Sequence, residues 1–303
     1  MGLPRPETCY GYHADLDLMG HVYGPGSPAW RCQTLVDQAC GVVAEIGARP
    51  ATVWGVIVLL PPSETKRSGG DGPPLRFGEL ANQALNPVRA ELVEELVALA
   101  AEPSACRRAL GISPAQDAEI ARNATLLSSP TLPAITRYTG VLYDALDVES
   151  LQGAAAARAH SRLAVGSALF GLLRADDQIP AYRLSASSKL PSSATLAARW
   201  RPVLEPVLAE LAAAELVVDL RSGSYAGLGK VPDAVRVDVL AEHPDGRRTV
   251  VTHFNKAHKG RLARVLATTR SEPGDAAAVA AVARRAGMQV ERSGNELTVI
   301  VAA

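Results

Sequence analysis

The chain has 303 residues, 48% hydrophobic and 20% charged, with 31 basic residues (Lys and Arg) balanced by 31 acidic ones (Asp and Glu). That profile is globular, long enough for one large core or two modest ones, and no run of 18 uninterrupted apolar residues exists to form a membrane-crossing helix. A net charge of zero removes the global electrostatic signature of a nucleic-acid binder and leaves only local charge to consider.

Residues 1–55 carry no sustained helical or alternating period, and glycine and proline punctuate them, apart from one amphipathic candidate helix in "RCQTLVDQACGVVAEIG". The N-terminus lacks the basic-then-apolar layout of a secretory signal. The four cysteines, Cys9, Cys32, Cys40 and Cys106, form no CxxC, which points to a reducing, cytoplasmic setting. Their spacing with His13 and His21 fits no common zinc pattern, so no metal is expected.

From residue 56 the organisation sharpens. Val56–Leu60 reads as a buried strand, and Pro61-Pro62, which lack ladder N–H groups, end it and open a polar loop with Ser63, Glu64, Thr65 and Lys66. "NPVRAELVEELVALAAE" predicts a helix capped by Asn86, with Val88, Leu92, Leu96 and Leu99 as its apolar stripe. Leu110-Gly111-Ile112 joins two further helices. This turn fits a helix-hairpin-helix element whose amides hold a phosphate, and equally an ordinary glycine-stopped helix followed by another.

"LPAITRYTGVLYDALD" reads as helical, and "RLAVGSALFGLLRADDQIPAYRL" runs from apolar residues into Arg174, Tyr182 and Arg183. Residues 195–215 predict an amphipathic helix interrupted at Pro202 and Pro206. A buried strand at Leu216–Leu220 precedes a polar turn with Ser222, Tyr225 and Lys230. A hairpin turning at Pro244-Asp245-Gly246, two helices at about 254–270 and 274–286, and a hairpin turning at Ser293-Gly294-Asn295 complete the chain. Strands and helices mix without a regular βαβ rhythm, so the expected fold is α+β: a single mixed-sheet domain with surrounding helices.

Standard catalytic and cofactor signatures fail. "SYAGLGKV" lacks the first glycine and final hydroxyl of a phosphate-binding P-loop, and there is no GxGxxG or HExxH. What recurs is an apolar run followed by a loop of hydroxyls and cations, which would suit an anion if those loops share one cleft. Between Arg247 and Arg270 lie seven basic residues and no acidic one, either a positive surface or a solvated helix face.

Taken together, "LLPPSETK", "RYTGVLYDAL", "GSALFGLLRADDQIPAYRLSAS", "VVDLRSGSYAGLGK" and "FNKAHKGRLAR" resemble, in this order, the peroxide stress protein YaaA family over nearly all of residues 56–303. The resemblance implies a cytoplasmic bacterial protein that limits peroxide damage by lowering free iron, with a helix-hairpin-helix element, a positively charged cleft and DNA as partner. A small phosphorylated or carboxylated ligand in the same cleft is the alternative. No reaction is named and no cofactor is expected, and without clustered metal ligands an iron effect would be indirect. The residues expected to bind DNA or another anion are Ser63, Lys66, Arg174, Tyr182, Arg183, Ser222, Tyr225, Lys230, Lys256, Lys259 and Arg264, with Leu110, Gly111 and Ile112 as the hairpin. The chain departs from the family pattern in carrying Glu64 in place of a lysine, Asp219 of an asparagine, Arg221 of an alanine and Ala257 of a lysine. The resemblance implies a start near Val56, so residues 1–55 are expected to be an N-terminal extension, poorly ordered or not native because the true start lies at Val56, and 56–303 the domain.

Overall fold

The computed structural model describes residues 55–192, 194–250 and 255–302. The expectations for the N-terminal cysteines and histidines, for the helix near residue 40 and for the status of the extension lie outside the described residues.

In chain order the strands are β1 (Val56–Leu60), β2 (Gly72–Pro74), β3 (Pro130–Pro133), β4 (Leu163–Ser167), β5 (Gly171–Arg174), β6 (Gln178–Ile179), β7 (Leu216–Asp219), β8 (Val235–Glu242), β9 (Arg248–Val250), β10 (Gln289–Ser293) and β11 (Glu296–Ala302). The α-helices are α1 (Asn86–Leu99), α2 (Pro103–Leu110), α3 (Asp117–Ala124), α4 (Ala134–Arg137), α5 (Val141–Leu146), α6 (Gly153–Arg162), α7 (Leu196–Ala214), α8 (Gly223–Ala226), α9 (Asn255–Thr268) and α10 (Ala276–Arg285). The fold is a mixed α/β one. The main sheet runs β10-β11-β8-β7-β1-β4-β5, with β9 also on β8, and β2-β3-β6 form a small second sheet.

β11, β8, β7, β1 and β4 are mutually parallel, flanked by antiparallel β10 and β5. β1 sits between β4 and β7, and its five side chains are fully enclosed, each worth about 1.5–3 kcal/mol of burial. The chain leaves β1 for β4 on one side, whereas β7, β8 and β11 are added successively on the other. The order therefore reverses at β1/β7, and in open parallel sheets such a reversal leaves a crevice beyond the carboxyl ends of the strands.

Several elements differ from the sequence expectation. Asn86 is the first helical residue of α1 rather than its cap: its side chain donates to Phe77 O (3.0 Å) and accepts from Arg89 (2.8 Å). α7 runs unbroken through Pro202 and Pro206. Both prolines are exposed, so the carbonyls they leave unpaired face water, while Leu196, Trp200, Leu204, Leu208 and Ala212 bury one face. Residues 132–147 are not one helix. They form the end of β3, then α4, an extended break at Tyr138–Gly140 with Gly140 at φ 97°, and α5. Tyr138 there bridges to Lys66 in the loop after β1, a tertiary pairing that outcompetes helix. Against this wall packs α9, whose Gly260 leaves room that a Cβ would lose, 2.2 Å from Leu142 O.

Candidate functional site

The loops after β1 and β7 open into one cavity of about 500 Å³, bordered by Pro61–Thr65, Thr139–Tyr143, Ser185–Ser187, Leu220, Ser222, Ser224, Tyr225, Asn255, Lys256 and Lys259. It lies at the carboxyl ends of β1 and β7, where the strand order reverses. Hydroxyls dominate the polar lining. The charged groups are Lys256, Lys259 and Glu64.

Each wall is held from behind. The β1 loop is laced to the extended break: the Thr139 N–H donates to Ser63 Oγ (3.2 Å), Thr139 Oγ1 meets Thr65 Oγ1 (3.1 Å), and Ser63 Oγ reaches Thr65 O. Tyr143 donates to Pro61 O (2.9 Å) and stacks on Tyr138. Beneath the loop lies Lys66, whose ammonium donates to Ser63 O (3.0 Å) and Glu64 O (3.3 Å) and sits 4.1 Å from the Tyr182 ring centroid. Burial, aided by the nearby Arg183 charge and opposed by Glu119 and Glu64, pulls its pKa down to about 7. Tyr182, Tyr138 and Ser167 form a buried hydroxyl chain at 2.7 and 2.8 Å, and burial raises both tyrosine pKa values.

The β7 loop is closed by a buried ion pair. Arg221 Nε and Nη2 reach Asp219 at 2.9 and 2.8 Å, and Nη2 also holds Gly229 O (2.9 Å). Asp219 and Arg221 are each other's partner. Gly166 makes the space, since a Cβ there would lie 2.6 Å from Arg221 Cδ. Lys259 donates to Leu220 O (3.1 Å), and burial lowers its pKa against the raising fields of Asp238 and Asp219. Lys256 is exposed at the cavity edge and has no side-chain partner among the described residues.

Of the residues singled out from sequence, Ser63, Ser222, Tyr225, Lys256 and Lys259 border the cavity. Lys66 and Tyr182 stand behind its wall. Arg183 reaches Glu64 Oε2 (3.0 Å) on the rim, and its backbone is clamped by Asn123 of α3 at 2.8 and 2.9 Å. Arg174 is elsewhere: it pairs in register with Ala164 near the start of β4 and reaches Ser161 O, at the opposite end of the sheet. Lys230 is exposed away from the lining, with its backbone N–H on Glu205 (3.2 Å). Arg264 caps the end of α5 through Leu146 O (2.7 Å) and Asp147 O.

The basic stretch 247–270 is not one positive face, because Arg248 is neutralised by Glu242 and Glu291. At the hairpin, the Gly111 and Ile112 N–H groups both donate to Arg107 O, and that of Ser113 donates to Gln116. Those amides already have partners, and the side chains of Leu110 and Ile112 are buried. Thr139, Val141, Tyr143, Ser185, Ser187, Ser224 and Asn255 border the cavity without having been singled out. All of them lie in the segments that carry the family resemblance, which marked the stretch but not the individual residue. Among the described residues, two enclosed side-chain polar atoms have no hydrogen-bond partner, Arg183 Nε and Asn255 Oδ1.

Comparison with known proteins identifies the family. A family model described as "Peroxide stress protein YaaA" matches residues 56–291. The chain is 49% identical over 240 residues to a UPF0246 protein of Corynebacterium efficiens, covering 78% of this chain and 95% of that one. It is 46% identical over 253 residues to one of Corynebacterium glutamicum (81% and 100%) and 43% identical over 239 residues to one of Streptomyces coelicolor (78% and 92%).

Proposed function

Since the chain belongs to the peroxide stress protein YaaA family, we propose that it acts in the peroxide-stress response of the bacterial cytoplasm by binding a phosphate-bearing ligand in the β1/β7 cavity. The observation that carries this is the meeting of Lys256 and Lys259 with the hydroxyls of Ser222 and Ser224 around one cavity at the strand-order reversal. Cations with converging hydroxyls are the donor set that phosphate oxygens accept from. A volume of about 500 Å³ suits a small molecule. No helix among the described residues is long and apolar enough to cross a membrane.

The test is calorimetric titration of the full chain with inorganic phosphate and pyrophosphate. Binding that Lys256→Ala weakens at least about fivefold supports the reading, on the scale of one charge-assisted hydrogen bond. Absence of binding by either anion defeats it.

A second reading takes the phosphate from DNA and lets the protein limit free iron indirectly. It is favoured by Lys256, exposed at the cavity edge and without a side-chain partner among the described residues. Among the described residues no group of three or more His, Cys, Asp or Glu side chains is arranged to hold a metal ion, so in this reading iron is affected through the bound nucleic acid. Fluorescence anisotropy of a labelled duplex across a salt series tests it. Lys256→Ala should flatten the log–log salt slope by about one unit if it meets one phosphate, and an unchanged slope removes Lys256 from any DNA contact.

A further inference from the structure

The cavity holds features that a phosphate alone would leave unused. Glu64, on its rim, keeps its carboxylate largely exposed, with one oxygen on Arg183 and the other without a hydrogen bond among the described residues. An anion site gains nothing from a carboxylate unless the ligand also brings hydrogen-bond donors to it. Val141, in the same lining, is 45% exposed, one of two large hydrophobics so exposed among the described residues, and Pro61 and Pro62 join it there. Exposed apolar surface inside a concave site marks where a ligand's apolar body rests.

We propose that the ligand is a nucleoside phosphate whose base presents N–H donors: the phosphate meets Lys256, the base edge meets Glu64, and the ring rests on Val141 and the two prolines. This deepens, and rests on, the anion reading of the same cavity. A sugar phosphate would leave the apolar wall bare, and a simple aryl phosphate would bring no donor to the carboxylate. A guanine base offers two adjacent N–H groups, which match a carboxylate's acceptors.

The experiment titrates the full chain with guanosine 5′-monophosphate, ribose 5-phosphate and inorganic phosphate. Guanosine 5′-monophosphate should bind at least about tenfold tighter than ribose 5-phosphate, the scale of one hydrogen bond to a charged group. Glu64→Gln and Val141→Ser, both at exposed positions, should each remove most of that gain and leave ribose 5-phosphate binding undiminished. Equal affinity for the nucleotide and the sugar phosphate, or a gain that survives both substitutions, overturns the inference while the anion reading stands. Failure of all three probes to bind overturns both.

Discussion

Arg89, Arg137 and Arg162 are buried and each tie several main-chain carbonyls together, whereas Lys256, at the cavity edge, has no side-chain partner among the described residues. Arg89 reaches Phe170 O, Leu172 O and Ala81 O at 2.8–2.9 Å. Arg137 holds Ile179 O, Gly69 O and Pro130 O, and Arg162 holds Leu266 O, Thr269 O and Ser271 O. Burial lowers the pKa of Arg89 and of Arg137 to about 10, so both stay charged at neutral pH. A planar guanidinium with five donors can satisfy several acceptors at once, while an ammonium on a flexible stem is suited to a site that must accept a ligand. The contrast separates a scaffold whose cations are used up from a cavity edge where Lys256 has no side-chain partner among the described residues.

That contrast is broken most severely at the scaffold. Arg89→Met keeps an unbranched apolar stem but removes the guanidinium and orphans buried carbonyls, and should cost about 3–5 kcal/mol in urea unfolding. A loss below about 1 kcal/mol would show that Arg89 is not a staple. Next comes the cleft's own buried pair. Asp219→Asn leaves Arg221 short of a counter-charge and should cost about 3 kcal/mol, and pairing it with Arg221→Ala should recover part of that loss. Additive losses in the double variant would mean that the two residues act independently.

Lys66 gives a smaller effect with a defined sign. Its folded pKa of about 7 lies below the ordinary 10.5, so between those values the unfolded chain holds a proton that the folded chain lacks. Stability should therefore rise with pH across that window, by up to about 1.4 kcal/mol per unit, and the slope should vanish below about pH 7 where both states are charged. Unfolding midpoints of Lys66→Met should lack that rise, and an unchanged profile would place the titration elsewhere. The smallest effect on stability belongs to Lys256→Ala, within about 0.5 kcal/mol of the parent, measured on the same variant whose phosphate binding should fall.

Much of this was legible beforehand where local chemistry dominates. Val56–Leu60 had to be a buried strand because five apolar residues ended by two prolines have few alternatives, and both late hairpins turn at glycines with positive φ, Gly246 and Gly294. The site was half legible. Serine, tyrosine and lysine in the loops after β1 and β7 were visible, but Arg174 looked equivalent to them, and only the antiparallel return of β5 carries it to the far end of the sheet. Arg264 looked like a free cation, and the crossing of α9 over α5 makes it a helix cap.

The sequence by itself determined the mixed composition of the domain, the strand-loop junctions and the supply of hydroxyls and cations, because prolines, glycines and apolar periods act over a few residues. Only the tertiary structure decided which of those groups share a cavity. Strand order, register and helix crossing are set by packing between segments distant along the chain, as when Asn123 clamps the backbone of Arg183 or Lys66 slides beneath the β1 loop. Such pairings depend on the shape of the assembled core, which no local pattern encodes.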